Sequence, residues 1–313
     1  MATALPPTGD LVTIRDWLRY GVSAFNRAEL VYGHGTASAI DEAAFLILST
    51  LHLPVDALEP WLDCRLTPTE RKEIADILSA RIETRKPASY LTKSAWIQGH
   101  KFYVDERVIV PRSFIGELLC RDGLATVAGD VASVKRVLDL CTGSGCLAIL
   151  AALTFPDAEV VASDISADAL EVAKKNVADY RLNALVTLVH ADLFDRLPAE
   201  RFDLIISNPP YVTTKAVADF SPEYKAEPKL AHHGGANGLD LVHRILAQAG
   251  GYLTPTGSLV VEIGEGREAL EAERPDLPFL WLDTDTSEGE VFTLSAAELV
   301  SSKSATPKLR KSR

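Results

Sequence analysis

The stretch Val137-Leu-Asp-Leu-Cys-Thr-Gly-Ser-Gly-Cys146 decides the fold of this chain. Its apolar start predicts a buried strand, the glycines at 143 and 145 predict a tight turn, and an apolar helix follows from Cys146. A strand, a glycine-rich turn and a helix in this order are typical of the ligand-binding corner of a doubly wound α/β fold. We therefore expect a ligand at the carboxyl end of this strand.

Strands and helices alternate regularly around this corner, which indicates βαβ units and a parallel sheet covered on both faces. Two last strands, separated only by a polar turn, predict a closing hairpin that adds one antiparallel strand. The predicted strands are 134–140, 159–163, 186–190, 202–207, 258–263, 279–282 and 290–294, and the predicted helices are 146–154, 167–179 and 239–253.

The beginning of the chain carries helical patterns alone. Apolar residues recur three to five apart over 13–28 and 37–51, and Thr67-Pro-Thr-Glu70 has the residue types that start a helix. No catalytic constellation accompanies these helices, so we expect them to recognise a substrate. The predicted organisation is a small all-helical substrate-recognition domain (1–93), a β-hairpin linker (94–110), an α/β domain (111–297) and a basic disordered tail (298–313).

The charge of the chain weighs against one class of partner. The 313 residues include 43 acidic ones against 32 Lys and Arg, a net charge of −11. Residues 303–313 hold five basic side chains and no acid, so the remainder stands at −16. A body of this charge repels a phosphate backbone and suits a basic partner. General nucleic-acid binding is therefore disfavoured, although acidity that serves solubility alone explains the charge equally well.

Other sequence features predict a cytoplasmic protein without a metal site. No apolar run is long enough to cross a bilayer, and no secretory signal is visible at the N-terminus. The four cysteines lack paired spacing, which favours a reducing compartment. His232 and His233 are adjacent, without the spacing of a helical metal site, so we expect both at the surface.

Two cofactors are compatible with the glycine-rich turn. A dinucleotide needs a third glycine, yet Cys146 and Leu147 follow Gly145, and Asp139 would repel a pyrophosphate. Asp139 would attract an ammonium or sulfonium group instead, which favours S-adenosylmethionine. A tight turn without any ligand is the remaining alternative.

Two further acidic positions fit an adenosine ligand. Asp164 ends the second strand, where its carboxylate can accept from ribose hydroxyls. Asp192 follows the third strand and can accept from the adenine amino group, while Leu193 or Phe194 packs on the ring.

The strand at 202–207 ends in Asn208-Pro209-Pro210-Tyr211. Consecutive prolines stiffen the turn, so the Asn208 side-chain carbonyl and the Pro209 main-chain carbonyl form two acceptors at a fixed separation. Two acceptors suit the two N–H bonds of a planar amino group, in a carboxamide or a base amine, on which Tyr211 can pack. Holding those protons aims the nitrogen lone pair at a methyl donor, so positioning would supply most of the catalysis. A turn that merely terminates the strand is the alternative.

On these motifs, the stretch from about Phe102 to Leu294 resembles the class I, Rossmann-like, S-adenosylmethionine-dependent methyltransferases. The helical N-terminus and hairpin resemble the protein-(glutamine-N5) methyltransferases. Three stretches are closer to the branch acting on ribosomal protein L-three of the large subunit than to the release-factor branch. They are Glu106-Arg-Val-Ile-Val-Pro-Arg-Ser-Phe-Ile-Gly-Glu117, Cys141-Thr-Gly-Ser-Gly-Cys146 and Ser221-Pro-Glu-Tyr-Lys-Ala-Glu-Pro228.

The resemblance implies roles for particular residues. The acceptor turn would bind the substrate glutamine, and Glu227-Pro228 and Asn237-Gly238 would shape the loop over it. Arg112 and Ser113 would close the pocket or position substrate, or else cap a helix. With the acidic positions above, the expected cofactor residues are Asp139, Cys141, Thr142, Gly143, Ser144, Gly145, Asp164, Asp192, Leu193 and Asn208.

The expected activity is methylation of a protein glutamine. The expected substrate is a basic ribosomal protein that is modified before ribosome assembly. Three alternatives use the same features: glutamine methylation of peptide chain release factors, methylation of adenine or cytosine amino groups in nucleic acid, and binding without catalysis. The intact acceptor turn disfavours the last of these.

Overall fold

A computed structural model describes residues 9–197 and 199–305 of the chain. The strands are β1 (Ala95–Ile97), β2 (His100–Phe102), β3 (Arg136–Leu140), β4 (Glu159–Asp164), β5 (Val186–His190), β6 (Phe202–Ser207), β7 (Leu253–Glu262), β8 (Leu280–Leu282) and β9 (Val291–Ser295). The helices are α1 (Ile14–Arg27), α2 (Ala39–Thr50), α3 (Pro68–Thr84), α4 (Ala88–Thr92), α5 (Phe114–Asp122), α6 (Ala125–Ala128), α7 (Cys146–Thr154), α8 (Ala167–Asp179), α9 (Thr214–Ala218), α10 (Pro222–Lys225), α11 (Asp240–Ala249), α12 (Arg267–Glu273) and α13 (Ala296–Ala305).

Seven strands form the central sheet in the order β5-β4-β3-β6-β7-β9-β8. The first five are mutually parallel, and β9 runs antiparallel to both of its neighbours. The predicted α/β class and the closing hairpin are thereby confirmed. Leu140 pairs with Ser207, so the glycine-rich turn after β3 and the acceptor turn after β6 leave neighbouring strands at the same edge of the sheet.

Apolar side chains cover both faces of the sheet. On one face, Leu150 of α7 packs in the same buried cluster as Leu204 of β6. On the other, Ile245 of α11 belongs to the cluster that contains Ile205. Successive residues of β6 therefore enter opposite cores, as expected for a parallel strand buried on both sides. Within the described residues, no helix has the length and apolarity to span a membrane.

The helices before β1 have their own core, which includes Trp17, Phe25 and Ile47, each fully buried. A capping box formed by Thr67 and Glu70 starts α3, where the sequence predicted it. The two residues bond reciprocally to each other's backbone N–H, which satisfies donors that the first helical turn cannot pair. The expected helical region is confirmed.

The β-hairpin predicted over 94–110 is shorter than expected. Its two strands end at Phe102, and the chain then continues to Ser113 without strand pairing. Val104, Val108 and Val110 are buried there in a small cluster with Val172 of α8. Asp105-Glu-Arg107 separates the first two of these valines, and all three pack against a helix instead of pairing in a ladder, so the prediction is wrong beyond Phe102.

The predicted disordered tail begins in a helix. Helix α13 covers Ala296–Ala305, and its Leu299 is 1% exposed in the core beside α11. Disorder starting at 298 is therefore a wrong prediction, because a buried leucine ties the first turns of this helix to the sheet domain. Residues 306–313 lie outside the described residues.

Glu223 of α10, in the segment beyond the acceptor turn, connects the sheet domain to the helical region. Its fully buried carboxylate lies 2.7 Å from Arg85 Nε and 3.6 Å from Arg81 Nη1, and it accepts from the Val31 N–H at 3.2 Å. Arg81 is also paired with Glu42 at 2.6 Å. A buried charge is tolerated when it is paired and hydrogen-bonded in this way.

Removing this carboxylate should loosen the connection. We expect Glu223→Ala to lower the free energy of unfolding by about 2–3 kcal/mol, because Arg85 and the Val31 N–H lose a buried acceptor. Urea denaturation followed by circular dichroism measures the change. Glu73→Ala, at an exposed position of α3, is the matched control and should stay within about 0.5 kcal/mol of the parent. Equal stability of the two variants would contradict the role given to Glu223.

Candidate active site

A cavity of about 480 Å³ opens at the carboxyl ends of β3, β4, β5 and β6. This is the edge where ligands bind in open α/β sheets. Six of the residues predicted for cofactor binding line it, together with Pro210 of the acceptor turn. The six are Cys141, Gly143, Asp164, Asp192, Leu193 and Asn208.

The Asp164 carboxylate is held between the glycine-rich turn and the start of α8. Its Oδ2 accepts from the Gly143 N–H at 2.9 Å, and its Oδ1 accepts from the Ser166 N–H at 2.8 Å. Burial raises the pKa of this carboxyl above its usual value. Each oxygen retains a further lone pair toward the cavity, so both ribose hydroxyls of an adenosine ligand can be accommodated.

Three predicted cofactor residues shape the turn without lining the cavity. Gly145 has φ +80°, and a Cβ there would lie 3.1 Å from Ala173 Cβ, so this glycine permits close packing of the turn on α8. The Ser144 carbonyl accepts from Asn176 of the same helix at 2.8 Å. Thr142 is 5% exposed and directs its hydroxyl to Asp139. These three residues therefore set the path of the backbone in the turn, and a part in cofactor binding stays a prediction.

Asp139 lies below the turn with no solvent exposure. Its Oδ2 accepts from the Thr142 hydroxyl at 2.5 Å, while its Oδ1 makes no hydrogen bond with any described residue. Burial raises the pKa of Asp139 to about 7. A buried carboxylate oxygen without a donor is compatible with a cationic ligand nearby. The residues present therefore fit S-adenosylmethionine, as the sequence predicted.

Asp192 has a partner that the sequence did not indicate. Its carboxylate lies 3.0 Å from Arg244 Nη2 of α11, and both side chains line the cavity. The adjacent Leu193 is 4% exposed and has φ +53°. An ion pair across the cavity wall fixes the orientation of the Asp192 carboxylate, which is the property required of an acceptor for an adenine amino group.

The acceptor turn follows β6 directly. Ser207 Oγ donates to the Leu140 carbonyl at 2.9 Å and so ties the start of the turn to β3. The Asn208 side chain makes no hydrogen bond with any residue of 9–197 or 199–305, and in the same part of the chain the Pro209 carbonyl accepts none. The turn therefore retains two acceptors for a ligand next to the cofactor cavity.

Tyr211 is held on two sides. Gly264, with φ +54°, faces the ring, and a Cβ there would lie 2.7 Å from Tyr211 Cε2. The phenol donates to Glu262 Oε1 at 3.4 Å. Burial raises the pKa of Tyr211, so its hydroxyl remains a donor at neutral pH.

Glu262, at the end of β7, is a residue that the sequence analysis missed. Its Oε2 accepts from Ser113 Oγ at 2.6 Å and from the Phe114 N–H at 2.9 Å. Burial raises the pKa of Glu262 to about 7. The sequence did carry a signal for this residue, because an acidic residue lies inside an apolar run that predicts a buried strand. Burying a carboxylate costs free energy unless the group is paired.

Glu227 binds Arg112, which precedes Ser113 at the junction between the hairpin and α5. Its carboxylate receives both Arg112 Nη atoms at 2.8 Å and the Val110 N–H at 2.9 Å. His232 Nε2 lies 3.0 Å from the same group, and His34 Nε2 lies 3.6 Å from it. Burial opposes ionisation, yet the hydrogen bonds from Arg112 and His232 lower the pKa of Glu227 to about 2. This fits the expected shaping of the loop by Glu227.

The surface position predicted for His232 is wrong. Its side chain is 4% exposed, because it packs against Phe220 and Tyr224 of the same loop and has Glu227 as a buried partner. His233 is exposed as expected and contacts Thr214 Oγ1 at 2.9 Å. In the described part of the chain, no three His, Cys, Asp or Glu side chains are grouped to hold a metal ion.

Arg112 and Ser113 each bind a buried carboxylate, Glu227 and Glu262 respectively, and neither lines the cavity. Ser113 also accepts from the Ile115 N–H at 3.2 Å, which confirms the capping alternative for this residue. A part for either residue in substrate binding stays a prediction.

Comparison with known proteins agrees with this geometry. Residues 124–221 match the methyltransferase small domain family. Relatives named ribosomal protein uL3 glutamine methyltransferase include one from Bradyrhizobium diazoefficiens, 53% identical over 296 residues and 93% of each chain. Another, from Bordetella pertussis, is 52% identical over 290 residues, which cover 93% of this chain and 97% of the relative.

Among solved structures, the hMettl16 catalytic domain in complex with MAT2A 3′UTR hairpin 1 superposes with a TM-score of 0.50 at 16% identity. It covers 77% of this chain and 85% of that one, a likeness that concerns the fold. Identity above one half over nearly the full length of both relatives is decisive for the family. The chain belongs to the ribosomal protein uL3 glutamine methyltransferases, enzymes whose methyl donor is S-adenosylmethionine.

Proposed function

We propose that this enzyme transfers a methyl group from S-adenosylmethionine to the side-chain amide nitrogen of a glutamine in ribosomal protein uL3. The observation that carries the proposal is Asn208. Its amide lies at the cofactor cavity with no hydrogen-bond partner among the described residues, beside the free carbonyl of Pro209. The names of the relatives supply the substrate protein.

Residues that line the cavity, together with the buried Asp139, each contact a different part of the methyl donor, which supplies an electrophilic methyl group. Asp164 accepts from the ribose hydroxyls, and Asp192 accepts from the adenine amino group beside Leu193. Asp139 stabilises the positive charge of the amino-acid end from beneath the turn.

The acceptor turn acts on the glutamine. Asn208 Oδ1 and the Pro209 carbonyl each accept one N–H of the amide, and Tyr211 packs on its plane. An amide nitrogen is a weak nucleophile because its lone pair is delocalised into the carbonyl. Fixing both protons aims that lone pair at the methyl group, so the turn contributes by orientation and by stabilising the charge that develops on nitrogen.

The charge near the turn favours a basic protein. Residues 262–290 contain ten Asp and Glu against two Arg, a net charge of −8. Both arginines are paired within the segment, Arg267 with Glu271 and Arg274 with Asp276. The segment begins at the residues that contact Tyr211, and most of its acidic side chains are exposed. We propose that it attracts a basic ribosomal protein before assembly, in the cytoplasm, where the four free cysteines remain reduced.

The substrate class can be tested with purified components. We expect labelled methyl groups from S-adenosylmethionine to appear on recombinant uL3 and not on a peptide chain release factor or duplex DNA offered in parallel. Mass spectrometry of the digested product should place the mass increase on a glutamine. Label on the release factor alone would overturn the substrate, and label on DNA alone would overturn the amide acceptor.

The role of the acceptor turn can be tested separately. We expect Asn208→Ala to lower kcat by about 10²-fold, the usual cost of removing one positioned hydrogen-bonding group from a reaction centre. Calorimetric titration should give a dissociation constant for S-adenosylmethionine within about threefold of the parent, because the ribose contacts remain. Asn183→Ala, at an exposed position after α8, is the matched control. A parallel loss of cofactor binding and turnover would show that Asn208 belongs to the cofactor site alone.

A further inference from the structure

We infer that Glu262 is a positioning residue for methyl transfer, which holds Tyr211 of the acceptor turn by its phenol. The inference rests on the proposed function of that turn. Glu262 and Tyr211 leave the neighbouring strands β7 and β6 at the same edge of the sheet. The contact between Oε1 and the phenol therefore joins the reacting turn to the end of the next strand.

The Glu262 side chain is itself fixed. It is 1% exposed, and its Oε2 is held by two donors from the start of α5, the Ser113 hydroxyl and the Phe114 N–H. With one oxygen anchored twice, the other is directed at the Tyr211 hydroxyl. A rigid acceptor of this kind sets the position of the ring, in contrast to an exposed carboxylate that would follow the ring wherever it moved.

The shape of the site also restricts the position of the Tyr211 ring. Gly264 leaves room for the Tyr211 ring where any side chain would contact it within 2.7 Å. The ring is therefore confined by contact on one side and by the hydrogen bond to Glu262 at its tip. Tyr211 lies two residues after Pro209, so the ring borders the turn that carries the Pro209 carbonyl.

Glu262 is an ionisable group buried next to the acceptor turn. A buried acidic group is costly compared with an apolar residue of the same volume, and such groups are concentrated at functional sites. Glu262 does not line the cofactor cavity, so it acts through Tyr211 and not on the methyl donor. Its loss should accordingly change kcat and leave the KM for S-adenosylmethionine in place.

The test compares four variants on a protein that the parent enzyme methylates in the panel above. Glu262→Leu removes the acceptor at similar volume and should lower kcat about tenfold, with the cofactor KM within twofold. Glu262→Gln restores a polar partner for the phenol and should recover kcat to within about threefold of the parent. Tyr211→Phe should match the loss in Glu262→Leu, and the double variant should lose no more than either change alone, because both remove one interaction.

Glu159→Gln, at the exposed start of β4 on the opposite edge of the sheet, is the control and should retain the parent kcat. Circular dichroism and thermal unfolding establish that each variant is folded. Should Glu262→Leu not fold, Ser113→Ala replaces it, since it removes one of the two donors that orient the carboxylate. An unchanged kcat in the folded variant, or multiplied losses in the double variant, would overturn the inference. Absence of uL3 methylation by the parent enzyme would instead overturn the proposed function.

Discussion

Buried carboxylates of the loop after the acceptor turn hold the two parts of this enzyme together. Glu223 is paired with Arg81 and Arg85 of the helical region, and Glu227 is paired with Arg112 of the connecting segment. Each charge is removed from water, so each is tolerated only while its partners stay in place. The position of the helical region is therefore linked to the loop that begins immediately beyond Tyr211.

This linkage explains how one sheet can serve a particular protein substrate. The cavity at the strand ends and the turn at Asn208 require only a methyl donor and an amide. Glu223 and Glu227 join the helical region to the loop beyond that turn. Methylation of a free glutamine would not require such an additional surface. We propose that the helical region selects the protein substrate, while the acceptor turn orients its amide; residues 212–228 connect the two.

The sequence was sufficient for those features that depend on local pattern. Periodicity and glycine spacing located β3 and the turn after it, and Asn208-Pro209-Pro210-Tyr211 located the acceptor turn. The two turns were expected to lie together because strand ends in a parallel sheet meet at one edge. It was insufficient where distant segments meet. Arg112 and Glu227 are 115 residues apart, and the hydrophobic periodicity of the sequence does not predict that they pair. His232 was assigned to the surface because its pattern does not reveal that the folded loop packs Phe220, Tyr224 and Glu227 around it.

Glu262 shows an intermediate case. Its place in an apolar run was visible in the sequence, but a local pattern does not reveal that Ser113 and Tyr211 would converge on it. The hairpin prediction failed for a different reason, because Val104, Val108 and Val110 are buried against α8 and lie outside any strand.

We propose that the acceptor turn binds both protons of a substrate amide beside the methyl donor. A crystal structure with S-adenosylhomocysteine and a glutamine peptide from uL3 would show this arrangement. We expect the amide nitrogen within about 3 Å of both Asn208 Oδ1 and the Pro209 carbonyl oxygen. An amide nitrogen bound elsewhere, with both acceptors facing water, would contradict it.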